Sequence, residues 1–197
     1  MANLLEIANL SWEKQFPLAT DEVAISRESF IATAKLEYAY AFLLWYWREN
    51  ATEGVFNMPG NLSKESEPLK VVDNEVDISS LDIMSRLPND RWLGKIGKLT
   101  DDCVYVKSNI NQTQLLKDDD SLPDLYYPYV VLGKKIIFPK GTHSNPITII
   151  YAGSGKDIDE DIEVDDAIGA QVRNRLDEIY FQKIGFVDKT NNSNPQN

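Results

Sequence analysis

The chain has 197 residues, and 20 Lys and Arg against 31 Asp and Glu give it a formal net charge of −11. Its length is enough for one domain with a sizeable core, and 43% hydrophobic and 26% charged residues are typical of a globular protein. The acidity argues against a protein whose main task is binding nucleic-acid phosphates, because that task needs Lys and Arg on the contact surface.

Residues 1–24 combine short apolar runs with Pro17 and an Asp21-Glu22 pair. They lack the basic start and the uninterrupted apolar stretch of a signal peptide, so we expect synthesis in the cytoplasm. We predict an N-terminal arm here, or a short helix followed by a loop.

A long aromatic helix is predicted next, from an N-cap at Ser26 to about Asn50. The segment LEYAYAFLLWYW at 36–47 holds one charge, Glu37, and is apolar on nearly every side. Its helical length of about 18 Å is too short to cross a bilayer core of about 30 Å. Dense Tyr and Trp favour either a central core helix or a subunit interface. The interface candidates are Tyr38, Phe42, Trp45 and Trp47.

The middle of the chain has weaker patterns. Residues 51–78 are rich in glycine, proline and charge, which predicts a long connection or a small hairpin. Residues 79–97 predict two short helices, the first ended by Pro88 and the second with the apolar residues Trp92, Leu93 and Ile96. The run CVYVK at 103–107 predicts a strand.

A hairpin and a further strand are predicted after residue 125. The runs YYPYVVL at 126–132 and IIF at 136–138 flank a Gly-Lys-Lys turn, which indicates two antiparallel strands. Pro128 places the first of them at a sheet edge or near its own start, because proline cannot donate a backbone hydrogen bond. The run ITIIYA at 147–152 predicts the third strand.

The C-terminal helix is predicted to start at a cap on Asp165 or Asp166 and to end at about Ile184, with Gly185 as its C-cap. Its buried stripe is expected at Ile168, Val172, Leu176, Ile179 and Tyr180.

These elements predict an α+β fold, in which the long aromatic N-terminal helix and the C-terminal helix pack with a small antiparallel β-sheet. The expected organisation is an N-terminal arm at 1–24, a single α+β domain at 25–185 and a flexible C-terminal tail at 186–197.

Seven of the ten residues at 157–166, hereafter the acidic segment, are acidic. They begin like the calcium loop of an EF-hand, but Ile162 stands where that loop needs glycine and Ile168 where it needs glutamate, so an EF-hand is excluded. A looser divalent-cation site, a solvated loop leading into a helix, a docking surface for a basic partner, and a lining that faces an anionic molecule stay open. The residues are Asp157, Asp159, Glu160, Asp161, Glu163, Asp165 and Asp166.

No catalytic constellation is recognisable. The single cysteine, Cys103, excludes an internal disulfide and a Cys-rich zinc site and opens an apolar strand, while the single histidine, His143, lies in a loop without a nucleophile elbow. The GSGK at 153–156 lacks the flanking residues of a phosphate-binding loop. A second acidic cluster, Asp118, Asp119 and Asp120 with Asp124, lies in a turn-rich loop. We therefore expect no enzyme, no cofactor and no metal, and a function that resides in surfaces.

Two segments carry a family resemblance: YYPYVVLGKKIIFPKG at 126–141 and ITIIYAGSGKDIDEDIEVDDAIGAQVRNRLDEIY at 147–180. They give a strand, a Gly-Lys-Lys turn, a strand ending in Phe-Pro, a strand ending in Tyr, an acidic linker and a helix. With the aromatic helix ending LLWYWRENA and the preceding SRESF, the pattern resembles the head-to-tail connector or neck ring proteins of crAss-like tailed bacteriophages. The matching segments cover about half of the chain, and residues 51–125 lie outside them.

This resemblance implies a non-enzymatic structural protein in the neck or tail of a virion, made in the host cytoplasm and without membrane anchoring. Copies would form a closed ring, expected to be a dodecamer, that docks to the portal protein and to the adjacent tail ring protein. DNA would pass through the lumen only as transiting cargo. Ring closure needs heterologous contacts between neighbours, for which the aromatic helix is the candidate. An acidic wall repels phosphates and lets DNA slide.

The charge of −11 also motivates an alternative, an acidic interaction protein or DNA mimic that binds a basic host protein. A mimic should spread its carboxylates over a face at phosphate-like spacing, whereas these concentrate in two loops. An enzyme would require a pocket that joins His143 to one of the acidic clusters.

Overall fold

The computed structural model describes residues 2–16, 26–50, 61–97, 103–112, 125–141 and 146–191, with only the backbone described at 181–191. The chain divides into two compact units. A helical unit comprises Met1–Ala51 with Gly155–Asn197, and a β unit comprises Thr52–Ser154. The α+β fold class is confirmed, while the domain boundaries expected near residues 25 and 185 stay a prediction.

The helices and strands are as follows. The helices are α1 (Leu4–Gln15), α2 (Arg27–Glu49) and α3 (Asp166–Asn191). The strands are β1 (Ala2–Asn3), β2 (Ser63–Glu65), β3 (Glu75–Asp77), β4 (Leu93–Ile96), β5 (Val104–Lys107), β6 (Tyr126–Leu132), β7 (Lys135–Ile137), β8 (Ile149–Ala152) and β9 (Glu163–Val164). Short 3₁₀ turns lie at Pro88–Asp90 and Ile110–Gln112.

Both N-terminal helices begin at a side-chain cap. The prediction for α2 is confirmed at both ends, because the Ser26 hydroxyl accepts the Ser29 N–H and the helix closes at Asn50. Of the two predictions for the N-terminal region, a short helix is present, and the loop predicted to follow it lies outside the described residues. The helix starts in a reciprocal capping box, in which the Asn3 side chain accepts the Glu6 N–H at 2.7 Å and the Glu6 carboxylate accepts the Asn3 N–H at 3.1 Å.

An aromatic cluster joins α1, α2 and α3, the helices described in the helical unit. Phe30 of α2 is fully buried, and its ring centroid lies 4.5 Å from that of Tyr180 on α3 and 5.5 Å from that of Trp12 on α1. The Tyr180 hydroxyl also forms a 2.8 Å hydrogen bond with the Thr33 hydroxyl. Tyr180 is therefore satisfied at its polar end while its ring packs in the core, as buried tyrosines require.

The buried stripe predicted for α3 is confirmed, with Ile179 half-buried and the other four residues fully buried. Asp165 is the cap, because its carboxylate accepts the Ala167 N–H at 2.8 Å. The prediction that Gly185 ends the helix is wrong, since α3 continues to Asn191. A glycine inside a helix costs about 1 kcal/mol relative to alanine but does not by itself end one.

Asp177 anchors α1 to α3 and supports a prediction about acid stability. Its carboxylate accepts hydrogen bonds from Lys14 at 2.8 Å and from Gln15 at 2.7 Å. The hydrogen bond from Lys14 contributes most to holding the pKa of the Asp177 carboxyl below its usual value, while burial acts in the opposite direction. A pKa that is lower in the folded chain stabilises it above about pH 5 and ceases to do so as the pH falls through the lowered value.

We therefore expect Asp177→Asn to be less stable than the wild type at pH 7, and the difference in stability to close as the pH falls through the lowered pKa of Asp177. Urea denaturation at a series of pH values measures this. Glu13, exposed on α1, provides the control Glu13→Gln, which changes a surface side chain and should leave the stability at pH 7 nearly unchanged. A constant gap between Asp177→Asn and the wild type across this range would contradict the prediction.

The described residues of the β unit form two sheets. An antiparallel sheet has the order β2-β8-β4, and a second has the order β3-β7-β6-β5, in which only β5 and β6 run parallel. The β6–β7 hairpin is confirmed, and Gly133 at its turn has a φ of +60°, which glycine adopts readily. Pro128 lies near the start of β6, as expected, and before the residues that pair with β7.

The prediction of two helices at 79–97 is wrong. The only helical turn there is Pro88–Asp90, and residues 93–96 form strand β4 against β8. The register shifts between Leu93 and Lys95, so a bulge at Gly94 changes the alternation of the strand. Leu93 and Ile96 are both buried although they are three positions apart, a spacing that without the bulge indicates a helix.

The hairpin predicted as one option within 51–78 is present. Val72 and Glu75 exchange backbone hydrogen bonds of 2.9 and 2.8 Å across Asp73 and Asn74, which both have positive φ, as a type I′ turn requires. Residues 51–60 lie outside the described residues.

Candidate functional site

The backbone of the acidic segment is held by the start of the chain. Strand β1 pairs with β9 in antiparallel register, Ala2 opposite Val164 and Asn3 opposite Glu163. The Leu4 N–H then donates to the Ile162 carbonyl at 3.0 Å, and the Leu5 N–H to the Glu160 carbonyl at 2.9 Å. These first-turn N–H groups of α1 have no partner within their own helix, so the acidic segment completes their hydrogen bonding.

The side chains of the acidic segment divide by type. Ile158 and Val164 are at most 2% exposed and anchor the segment in the helical unit. A turn between them is closed by Asp159, whose carboxylate accepts the Asp161 N–H at 3.1 Å. Six carboxylates are exposed and Glu160 is half-buried. The arrangement presents negative charge on a fixed backbone; the exposed residues are Asp157, Asp159, Asp161, Glu163, Asp165 and Asp166.

Within the described residues, no group of three or more His, Cys, Asp or Glu side chains is placed to hold a metal ion. The carboxylates of the acidic segment instead serve backbone turns, an ion pair and the α3 cap. Glu160 pairs with Lys35 of α2 at 2.9 Å, and Asp165 caps α3.

The GSGK motif brings the chain into close contact with α2. Gly155 has a φ of +94°, and a Cβ atom there would lie 2.4 Å from the Ala39 Cβ and 3.1 Å from the Lys35 carbonyl oxygen. Only glycine fits this position. The sequence predicted a turn between a strand and the acidic segment. In the structure, Gly155 in this turn lies against α2.

A groove opens beside this contact, between α2 and the start of the acidic segment. Its volume is about 330 Å³, and its lining combines apolar and charged side chains. The lining residues are Glu28, Ile31, Ala32, Lys35, Leu36, Lys156 and Glu160. We did not predict this groove, because it forms between residues more than 100 positions apart, although the apolar spacing of α2 includes Ile31 and Leu36.

The four interface candidates of α2 differ in exposure. Tyr38 is 5% exposed, and its burial raises the pKa of its hydroxyl. Phe42 and Trp47 are half-buried, and Phe42 lies between the rings of Tyr38 and Trp45 at centroid distances of 5.9 and 5.7 Å. Trp45 is 41% exposed. Trp45 is thus the candidate that offers most surface to a partner, and the interface role of the set stays a prediction.

Glu37, the single charge within the aromatic run, is 4% exposed. Its carboxylate lies 3.5 Å from the guanidinium of Arg175 on α3, which also pairs with Glu178. Hydrogen bonding to Glu178, together with the charge of Glu37, raises the pKa of Arg175. A buried charge needs a partner, and Arg175 on α3 provides one for this carboxylate of α2.

Other candidates fall elsewhere. Asp118, Asp119, Asp120, Asp124 and His143 lie outside the described residues. Cys103 lies half-buried just before β5.

Among the helices that the structure describes, none has an apolar stretch long enough to cross a bilayer. No model of a known protein family matches the sequence, and no curated protein is significantly similar to it.

Proposed function

We propose that this protein is a non-enzymatic structural subunit of the head-to-tail connector of a tailed bacteriophage. Copies form a closed ring that docks to the portal protein and to the adjacent tail ring protein and surrounds the DNA channel. The observation that carries the proposal is the resemblance of residues 126–141 and 147–180 to neck ring proteins of crAss-like phages.

The order of the secondary-structure elements agrees with the sequence pattern on which the resemblance rests. The first segment contains the β6–β7 hairpin, and the second runs through β8, the acidic segment, β9 and the first half of α3. Each part of the sequence pattern thus corresponds to an element of the described structure.

The aromatic helix supports an assembling subunit. Trp45 is 41% exposed on α2, beside a half-buried Phe42, and aromatic side chains of this kind are frequent anchors of protein interfaces. A ring subunit needs such contacts on two different surfaces, because each copy meets two neighbours.

The acidic segment supports a position near DNA or near a basic partner. Its six exposed carboxylates stand on a backbone fixed by β1 and α1. Facing the channel, they would repel the phosphate backbone and keep DNA mobile. Facing a neighbouring ring, they would bind a basic surface.

The net charge of −11 favours one second candidate, an acidic interaction protein or DNA mimic that binds a basic host protein. The two functions differ in assembly, because a mimic acts without forming a ring.

Mass measurement of the purified chain, alone and mixed with the portal protein of the same phage, tests the proposal. We expect a discrete assembly whose mass is a multiple of 22.4 kDa and which binds the portal. A chain that stays monomeric at every concentration and leaves the portal unbound would contradict the proposal and favour the mimic.

A further inference from the structure

We propose that Trp45 of one copy docks in the α2 groove of the next copy, the groove lined by Ile31, Ala32 and Leu36. This inference rests on the proposed ring and names the two surfaces that close it. Both surfaces belong to the helical unit.

The groove has the size and chemistry of a receptor for one large side chain. Its volume of about 330 Å³ is at the lower end of the range of about 300–1,000 Å³ that is usual for small-molecule pockets. Ile31 and Leu36 are half-buried and Ala32 is exposed, so apolar surface is open to solvent there. Lys35 lies at the wall, where its pair with Glu160 fixes it at 2.9 Å. An indole in the groove would cover the apolar surface next to this cation.

Trp45 has the matching properties of an insert. It is 41% exposed near the C-terminal end of α2. Its ring packs against the ring of Phe42, at a centroid distance of 5.7 Å. Tryptophan is among the residues most enriched at energetically important interface positions.

Complementary charges also favour a second copy of this chain as the partner that fills the groove. Arg48 lies one turn beyond Trp45 on the same side of α2, and Glu28, which lines the groove, lies one turn before Ala32. Both side chains are exposed, and neither forms an ion pair with a described residue. The charged residues that line the groove are Glu28, Lys35, Lys156 and Glu160, and of these Glu28 has no ion pair with a described residue. Docking a copy through Trp45 would bring Arg48 to the groove as a cation for this carboxylate.

The placement of the two surfaces favours a head-to-tail contact. Trp45 lies 13 positions after Ala32 on one rigid helix, a separation of about 20 Å along its axis. One copy therefore cannot fill its own groove. A contact between two different surfaces repeats from copy to copy and closes into a ring when the rotation permits.

Sedimentation velocity over a concentration series tests this inference with four variants. We expect Trp45→Ala to raise the concentration needed for half-assembly at least about tenfold. Arg48→Glu should raise it about threefold or more, and the double variant Arg48→Glu with Glu28→Lys should restore assembly towards the wild-type value. The matched control is Leu10→Ala, which removes another exposed apolar side chain, 58% exposed on α1, and should leave assembly unchanged.

The outcomes separate this inference from the proposed function. Rings that form equally well in Trp45→Ala, or a double variant no better than Arg48→Glu, overturn the docking of Trp45 and leave the ring function standing. A wild-type chain that remains monomeric even with the portal overturns both. Misfolding cannot restore assembly in the double variant. The melting temperatures of all variants show whether a variant that loses assembly is still folded.

Discussion

Gly155→Ala is expected to lose about 2–5 kcal/mol of unfolding free energy. Two costs add at this position. The φ of +94° is unfavourable for a residue with a Cβ, at about 1–2 kcal/mol. The added methyl would also lie 2.4 Å from the Ala39 Cβ and 3.1 Å from the Lys35 carbonyl oxygen, and overpacking typically costs about 1–3 kcal/mol. Chemical denaturation followed by far-ultraviolet circular dichroism measures the loss.

Gly133→Ala is the matched control for backbone strain alone, because Gly133 has a φ of +60° with no atom within 4 Å of the added Cβ. It should lose only about 1–2 kcal/mol. A second comparison combines Gly155→Ala with Ala39→Gly, which removes the Cβ in closest approach and should show favourable coupling in a double-mutant cycle. Equal losses at Gly155 and Gly133, without coupling to Ala39, would contradict the close packing of the turn on α2.

Phe30→Ala is expected to destabilise the chain by about 3–5 kcal/mol. Phe30 is 0% exposed, and its ring contacts Trp12, Phe16 and Tyr180 at centroid distances of 5.5, 6.5 and 4.5 Å. Truncation would leave a cavity where the three helices meet and remove aromatic contacts on every side. Urea denaturation monitored by tryptophan fluorescence gives the change, since Trp12 reports directly on this cluster.

The exposed aromatic of the same helix is the control. Trp45→Ala should cost about 1 kcal/mol or less, because 41% of Trp45 is already exposed to water. A Phe30→Ala loss as small as that of Trp45→Ala would mean that the cluster does not form the core of the helical unit. The same Trp45 variant is then suitable for assembly measurements, since its effect on folding is small.

Local signals in the sequence predicted much of the fold. The Ser26 cap, the apolar spacing of α3 and the Gly-Lys-Lys turn each depend on neighbouring residues, and each was confirmed. The errors came from features that only tertiary contacts determine. Leu93 and Ile96 have helical spacing because of a bulge that forms against β8. Gly185 has the form of a C-cap, but α3 continues through it.

The candidate site divides in the same way. The acidic segment was recognisable because its charge is contiguous in sequence, but its attachment to β1 and α1 joins residues about 160 positions apart. Aromatic density favoured either a core helix or a subunit interface for α2 without separating the buried Tyr38 from the exposed Trp45, since helical spacing alone does not say what packs on each face. The groove beside Lys35 could not be predicted from the sequence either, because residues distant in the chain, from α2 and the acidic segment, line it together.

Electron microscopy of the purified protein, alone and mixed with its portal, tests the connector function most directly. We predict closed rings with an open central channel, stacked coaxially on the portal when both are present. Averages that show only single chains, with portal particles unchanged by their addition, would contradict the account.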